Sequence, residues 1–287
     1  MSLQEFWLQL LNGLTFAALL FLVSSGFTLI FGLMRIVNLA QGSLYLLGGY
    51  VGLSVIRGTG SFWLAVPAAA LAIGALGLAV ERGLLRRVRG RPMSEILLTV
   101  GLSFIAADIA LAVWGGDPIT LDAPGAIDGR TQLLGVTYPV YRLCVVALGI
   151  AVAVALWLLL ERTRIGAMVR AGVDDREMAE ALGINVKAVF TGVFALGALL
   201  AGVAGVVGGA YLSLFPGADT QILTYALVVV VVGGMGSLRG AVLGALLVGL
   251  IYIFGQALVP NLAYFVLFAP MALVLILRPQ GLFGRAG

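Results

Sequence analysis

Long uninterrupted apolar runs dominate the chain, and short polar or glycine-rich breaks separate them. The run 145–160, for example, contains no charged residue. A membrane-spanning helix needs about 20 predominantly apolar residues, whereas strands of a membrane barrel alternate apolar and polar residues. Because the runs are continuous, the pattern predicts membrane helices. The candidate spans lie near 6–32, 42–56, 62–80, 93–114, 139–160, 188–212, 221–235, 241–258 and 264–277.

Some of these runs are short or interrupted by glycine. The stretches 42–56, 221–235 and 241–258 are candidates for broken or partly re-entrant helices. Glycine pairs four residues apart, such as Gly48 with Gly52, predict closely packed helix backbones. We therefore expect an all-α membrane protein: one transmembrane domain over residues 1–287, a polytopic bundle of about eight transmembrane helices, some broken or re-entrant.

The basic residues predict how the bundle is oriented. The segments 81–92, 161–187 and 278–287 together hold 12 of the 17 basic residues. Cytoplasmic loops carry an excess of Lys and Arg, so these segments should be cytoplasmic. The loop 115–138 holds one basic residue, Arg130, and three aspartates, and should face outward. Three predicted crossings precede the first basic segment, which puts the N-terminus outside and the C-terminus in the cytoplasm.

Composition reinforces this interpretation. The chain is 61% hydrophobic and 10% charged, whereas globular domains are typically about 25% charged. The net charge of +4 could suggest nucleic acid, but the positions of the basic residues follow topology instead. Membrane lipid is therefore an expected partner and nucleic acid is not. The other possibility for the arginine clusters is contact with lipid headgroups or nucleotide.

Missing residue types exclude several kinds of chemistry. The chain has no His, and its single cysteine, Cys144, lies in an apolar run. Catalytic triads that need His, disulfides within the chain and thiolate metal clusters are thereby excluded, so we predict no catalytic residue and no metal site. The only lysine, Lys187, is not in the Gly-Lys-Ser/Thr context of a phosphate-binding loop. If transport consumes ATP, another subunit must bind it.

The basic loop 161–187 contains the signature of a short helix near 174–184. Asp174 is a candidate N-cap with an acid, Glu177, three residues later, and Gly183 suits the position just past a helix end. Met178, Ala181 and Leu182 fall at helical spacing and predict a small apolar face. Such a face fits a groove on a soluble partner, or it packs back on the membrane spans. Spacing alone does not choose between these two.

Three polar residues within or beside apolar runs are candidates for a solute path. Asn38 and Gln41 lie at the end of the first run, beside Arg35, and Asp108 lies within the fourth. Polar groups inside a membrane are costly and often functional. For Asn38 the alternative is an interhelical hydrogen bond. For Asp108 it is a pair with Arg142 or contact with water near the outer surface.

Four stretches occur in order along the chain: Phe31-Gly32-Leu33-Met34-Arg35 continuing to Gly42, Arg162-Thr163-Arg164-Ile165-Gly166 with Leu182-Gly183-Ile184-Asn185-Val186, Gly233-Gly234-Met235-Gly236-Ser237, and Leu277-Arg278-Pro279-Gln280-Gly281. Together they resemble the permeases of branched-chain amino-acid ABC transporters, and the chain resembles the first of the two paralogous permeases in such systems. The basic loop resembles the family's cytoplasmic coupling loop.

The resemblance implies a bacterial inner-membrane importer of branched-chain or related amino acids. It implies a second related permease, two cytoplasmic ATPases that bind ATP and Mg, and a periplasmic binding protein. It also implies that the helix with Ile184 at its end carries ATPase coupling. Family members often have His where this chain has Gln41. The solute of this chain can therefore differ from leucine, and the resemblance leaves open urea, amides or organic acids, which other relatives transport.

Two other classes of function compete with an ABC permease. A stand-alone secondary transporter or channel would need mid-membrane carboxylates for coupling ions, and Asp108 is the clear candidate in the sequence. An intramembrane enzyme would need catalytic groups that the composition does not supply. The sequence therefore favours a permease that is not itself an enzyme.

Overall fold

The computed structural model describes residues 2–34, 38–133 and 135–284. Its helices are α1 Leu3–Met34, α2 Gln41–Thr59, α3 Phe62–Val80, α4 Pro92–Trp114, α5 Val140–Arg162, α6 Arg164–Asp174, α7 Arg176–Ala181, α8 Val186–Leu212, α9 Ala218–Gly233, α10 Leu238–Leu258 and α11 Ala263–Leu277. Each of the nine predicted apolar runs corresponds to one of these helices, and the two others, α6 and α7, lie in the basic loop 161–187. Helix α3 continues through a π-helical turn, Glu81–Leu85, and a last turn, Arg86–Val88.

Side chains at the starts of several helices satisfy backbone N–H groups that have no partner within the helix. Ser61 accepts from Leu64 at the start of α3, and Asn185 accepts from Ala188 at the start of α8. Ser237 does the same at the start of α10. Such caps stabilise a helix by about 1 kcal/mol each, and here they also fix where each apolar run begins.

The prediction of a polytopic helical membrane protein is confirmed. Within the described residues, six helices are long and apolar enough to cross a membrane, and α9 and α11 include shorter apolar stretches. Helix α2 is less apolar and lies largely buried among the others. The expectation of a break within 241–258 is not met, because α10 is continuous from Leu238 to Leu258.

Helices α1 and α8 form the centre of the bundle. Helix α8 packs along α1, α2 and α3, and α1 packs along α10. Most of α1 and α8 is buried, whereas α4 and α5 leave most of their surface exposed. Glycines allow the central helices to approach closely: a Cβ atom built on Gly48 of α2 would lie 2.6 Å from the Cα of Gly202 in α8. The small-residue spacing thus serves helix packing, as expected.

Two helices begin inside the bundle. The first residue of α2, Gln41, is fully buried, and Asp219 in the first turn of α9 is 7% exposed. The backbones of Gly42 and Asp219 are in close contact, so these two helix starts face each other. The interrupted 42–56 and 221–235 runs therefore correspond to helices that start within the protein interior.

A small hairpin covers the end of the bundle between α4 and α5. Its strands, β1 Arg130–Leu133 and β2 Val136–Pro139, pair antiparallel, with Arg130 opposite Pro139. A bridge between Ile119 and Leu214 ties the preceding segment to the residues after α8. This loop is therefore fastened to the bundle at the end opposite α6 and α7, which connect the other ends of α5 and α8.

Candidate substrate path and coupling loop

The polar side chains of Asn38 and Gln41, at the break between α1 and α2, form hydrogen bonds with each other and with neighbouring backbone. Asn38 and Gln41 are both buried, at 1% and 0% exposure. The Asn38 amide donates to Gln41 Oε1 at 3.4 Å, and its carbonyl oxygen accepts from the Ala40 backbone at 3.2 Å. Gln41 in turn donates to the carbonyl of Gly197 in α8, 3.2 Å away. The two residues bond to each other and to α8. That they line a solute path stays a prediction.

Arg35, which the sequence places beside Asn38, lies outside the described residues.

Asp219 is a buried carboxylate next to this break that the sequence analysis missed. It accepts a hydrogen bond of 3.0 Å from the hydroxyl of Ser43, in the first turn of α2. It also lies in the first turn of α9, where the helix dipole favours a negative charge. The sequence signal for Asp219 was an acidic residue at the start of an apolar run. Its contact with Ser43, 176 positions away in the chain, could not be predicted from local residue spacing.

Asp108 lies apart from these residues. It is exposed, on the outward face of α4, whereas the buried positions of that helix are Glu95, Thr99, Ala106 and Ala110. Ser103 is the α4 residue that reaches the break, through a 3.3 Å hydrogen bond to the carbonyl of Leu39. Of the two alternatives for Asp108, the pair with Arg142 does not occur among the described residues, where Arg142 bonds to Asn12. The structure does not bring Asp108 into the candidate path.

The loop 161–187 contains two helices rather than one. Thr163 caps α6 by accepting from the Gly166 backbone, and Gly166, Val169 and Gly172 form its buried face. Arg170 donates to the carbonyl of Leu160 and so holds α6 against the end of α5. The sequence contains a signal for α6, because Ile165, Met168, Val169 and Gly172 recur at helical spacing.

The short predicted helix corresponds to α7, Arg176–Ala181, but its start differs by one residue. Asp174 ends α6, and the N-cap is Asp175, whose side chain accepts from the Met178 backbone at 2.9 Å. The assignment of the cap to Asp174 was therefore wrong. Glu177 consequently sits too early for a capping box and instead places an acid in the first turn.

The predicted end of α7 is confirmed. Gly183 has a φ of +84°, the left-handed conformation that favours glycine. Its N–H donates to the Glu180 carbonyl, and the Ile184 N–H donates to that of Ala179. This pair of bonds is a Schellman motif. A helix of six residues thus has a defined structure at both ends.

The apolar face of α7 points away from the bundle. Met178 and Leu182 are 57% and 75% exposed, and Ala181 is exposed as well. The residue that packs inward is Ala179, at 2% exposure. Of the two alternatives left open by the spacing, packing of this face against the spans is not what the structure contains. The chain presents three apolar side chains on a capped helix with no partner for them among the described residues.

A buried polar cluster lies where the loop enters α8. Glu81, in the π-helical turn after α3, is fully buried and forms an ion pair with Arg89. Thr191, in the second turn of α8, donates its hydroxyl to the same carboxylate. The Arg89 guanidinium also lies 5.0 Å from the ring centroid of Phe190. The first turns of α8 are therefore joined to the end of α3.

Comparison with known proteins gives a consistent family. The family model described as the branched-chain amino acid transport system permease component matches residues 9–275. The permease BraD of Pseudomonas aeruginosa, named for high-affinity branched-chain amino acid transport, is 30% identical and aligns over 96% of this chain and 95% of its own. LivH of Escherichia coli, with the same description, is 28% identical over the same shares.

The ribose import permease RbsC of Escherichia coli is 30% identical over a shorter region, 74% of this chain and 67% of its own. No solved structure matches the chain significantly. The family model covers nearly all the spans and the loop 161–187. The chain therefore belongs to the family of branched-chain amino acid transport system permeases.

Proposed function

We propose that this permease is one of two membrane subunits of an ATP-driven importer of branched-chain or related amino acids. The observation that carries the proposal is the family match over residues 9–275, together with the relatives BraD and LivH, whose names give branched-chain amino acid transport. In the proposed orientation the N-terminus is outside the bacterial inner membrane and the C-terminus is cytoplasmic.

The proposed transporter divides the work among subunits. Lys187 lies at the start of α8 and not in a phosphate-binding loop. ATP and Mg are therefore assigned to two cytoplasmic ATPase subunits. A second, related permease completes the membrane part, and a periplasmic binding protein captures the solute. Because that protein selects the solute, the permease needs only a weak site of its own.

Coupling is proposed to run through α7. ATP-driven closure of the ATPases would push on its exposed face, formed by Met178, Ala181 and Leu182. Since α8 begins a few residues later, the displacement would reach Thr191 and, through Glu81, the end of α3. The same helix α8 carries Gly197, which accepts from Gln41 at the break. One movement would thus act on the helix starts around Asn38, Gln41 and Asp219.

The alternative is a secondary transporter that works alone, and Asp219 is the observation in its favour. A buried carboxylate is the group that such carriers use to bind a coupling ion. Under the ATP-driven proposal Asp219 joins two helix starts through Ser43. Asp219→Asn keeps an acceptor for Ser43 and removes the charge, so it separates these two roles.

The test is uptake of radiolabelled leucine into proteoliposomes that contain the permease with its partner subunits and binding protein. We expect uptake only with hydrolysable ATP and with the ATPases present, and substantial activity in Asp219→Asn. The purified permease alone should hydrolyse no ATP. Uptake by the permease alone, driven by a proton or sodium gradient and abolished in Asp219→Asn, would replace the proposal by the alternative. Uptake of ribose instead of leucine would overturn the substrate class.

A further inference from the structure

A polar cavity opens at the end of the bundle opposite α6 and α7. It has a volume of about 340 Å³ and lies among α1, α5, α8 and α10. Its lining is unusual for a bundle with this composition, because most of the side chains are polar. They include Gln9 and Asn12 of α1, Arg142 of α5, Tyr211 of α8 and Gln256 of α10. The functions assigned above do not use these residues.

Arg142 is the charge in this cavity, and its neighbours fix its position. Its guanidinium donates to Asn12 Oδ1 at 2.6 Å. It also lies 5.8 Å from the ring centroid of Tyr138 and 5.1 Å from that of Tyr211. The hydroxyl of Thr15 donates to its backbone carbonyl at 3.3 Å. A long side chain is thus held between two aromatic faces instead of extending freely into solvent.

This cation has no counter-ion within the described part of the chain. No acidic residue lines the cavity, and Asn12 is the hydrogen-bond acceptor that the described residues offer its guanidinium. A guanidinium carries five N–H donors, so most of its donors are left for another acceptor. Arg142 is also partly buried. A partly buried cation of this kind is stabilised when an oxyanion enters and accepts two hydrogen bonds.

The other lining groups suit a solute that carries both a carboxylate and an ammonium group. The amides of Gln9 and Gln256 offer carbonyl oxygens to an ammonium, and the Tyr211 ring offers a face that attracts cations. Sites for small ligands begin at about 300 Å³, so the cavity is large enough for one amino acid. We propose that this cavity is a docking site for the carboxylate of the transported solute, with Arg142 as its anchor. This inference rests on the proposed function.

The test measures protection of a cysteine placed in the cavity wall. Ala257 lines the cavity and is exposed, and Ala257→Cys on a Cys144→Ala background leaves one cysteine in the permease, whose modification is measured on the permease itself. Washed membranes containing the whole transporter are treated with N-ethylmaleimide, whose neutrality makes its rate insensitive to nearby charge. The probes are leucine, 4-methylpentanoate, which lacks the ammonium group, and leucinamide, which lacks the carboxylate.

We expect leucine and 4-methylpentanoate to slow the modification and leucinamide to leave it unchanged. Arg142→Gln should raise the concentration needed for protection about ten- to a hundredfold, the usual effect of losing a hydrogen bond to a charged group. Arg142→Lys keeps the charge and should retain part of the protection. This second variant keeps the test valid if Arg142→Gln does not fold. The matched control is Arg57→Gln, which removes an exposed charge from the end of α2 on the same side of the bundle.

Equal protection by leucinamide, or unchanged protection in Arg142→Gln, would overturn the proposal. So would the absence of protection by both carboxylates. A phospholipid that co-purifies with the transporter and is lost in Arg142→Gln, with no protection by leucine, would assign the cavity to a lipid phosphate instead. Leucine uptake by the same transporter shows whether a negative result contradicts the carboxylate site alone or the proposed function as well. If uptake is normal but protection is absent, only the inference about Arg142 is wrong.

Discussion

The carboxylate of Glu81 illustrates how a single residue can decide the stability of this bundle. It is fully buried, and its partners Arg89 and Thr191 come from the turn after α3 and from α8. Breaking a buried ion pair by removing one partner leaves an uncompensated charge. An exposed pair of the same type contributes little, because water screens it. The chain contains such a pair as well, between Arg170 and Glu161, both about half exposed and 3.9 Å apart.

We therefore predict that Glu81→Ala lowers the free energy of unfolding of the permease by about 3–5 kcal/mol. Glu161→Ala should change it by no more than about 1 kcal/mol. Thermal unfolding of the two purified variants in detergent, followed by tryptophan fluorescence, compares them directly. Equal losses of stability would mean that the Glu81 cluster is not buried as described.

The sequence was informative about residues where a polar side chain interrupts an apolar run. Asn38 and Gln41 interrupt the apolar pattern, and both are buried in the structure; their place on a solute path stays a prediction. Glu81 and Asp219 were missed because Glu81 lies just after one apolar run and Asp219 just before another, where an acid is usually solvated. Their burial depends on Thr191 and Ser43 from distant parts of the chain. Asp108 is exposed because its helix turns it away from the centre of the bundle, which its position in the sequence does not reveal. Its place on a solute path stays a prediction.

At the scale of elements, the contact between α2 and α8 depends on the absence of side chains. The Cβ of any other residue at Gly48 would lie 2.6 Å from Gly202, closer than atoms can approach. The sequence spacing predicted this type of contact but not which helix would be the partner, because glycine spacings occur in several runs.

Gly48→Ala is therefore predicted to force α2 and α8 apart and to destabilise the permease by about 1–3 kcal/mol. The control is Gly58→Ala near the end of α2, where a Cβ atom would meet nothing within 4 Å. That change should be neutral or slightly stabilising, because alanine is a better helix former than glycine. Thermal unfolding of both variants tests the difference, and a neutral Gly48→Ala would contradict the close crossing.

Helix α7 presents one face outward and one residue inward, which permits a matched pair of charge substitutions. Ala181→Glu places a charge on the exposed face, so the permease itself should remain stable. If that face docks on the ATPase, the variant should lose ATPase association or uptake. Ala179→Glu buries a charge at a position with 2% exposure and should destabilise the permease itself.

Co-purification of the ATPases and thermal unfolding of the permease distinguish the two variants. Normal uptake and ATPase association in Ala181→Glu would show that coupling does not use this face. Loss of permease stability in Ala181→Glu would show that the face packs on the membrane domain instead.

At the scale of the whole molecule, the apolar runs predicted the long helices, which the structure contains. The basic segments predict an orientation that stays a prediction. Hydropathy does not encode depth, so the sequence could not show that α2 and α9 start inside the bundle. Helix α6 was not predicted. Its apolar residues recur at helical spacing, but they lie among the basic residues of the loop 161–187. The number of crossings follows from tertiary packing, which decides whether a run of 16 residues such as α9 spans or stops part-way.

The orientation leads to a labelling prediction. Asp122 is exposed in the loop between α4 and α5, and Glu177 is exposed on α7. On a Cys144→Ala background, Asp122→Cys should react with an impermeant thiol reagent in intact cells. Glu177→Cys should react only after the cells are opened. The reverse pattern would invert the topology. Glu177 is preferred to Asp175 for this purpose because Asp175 caps the helix.

The caps of α7 also affect the speed and strength of any contact made there. Ordering one backbone residue costs about 1–2 kcal/mol of conformational entropy, so a disordered loop would lose much of its binding energy in becoming a six-residue helix. In this chain the Asp175 cap and the Gly183 turn order that segment within the isolated subunit. A partner that docks on α7 therefore meets a rigid surface, and its association rate is governed by collision and orientation, not by a folding step.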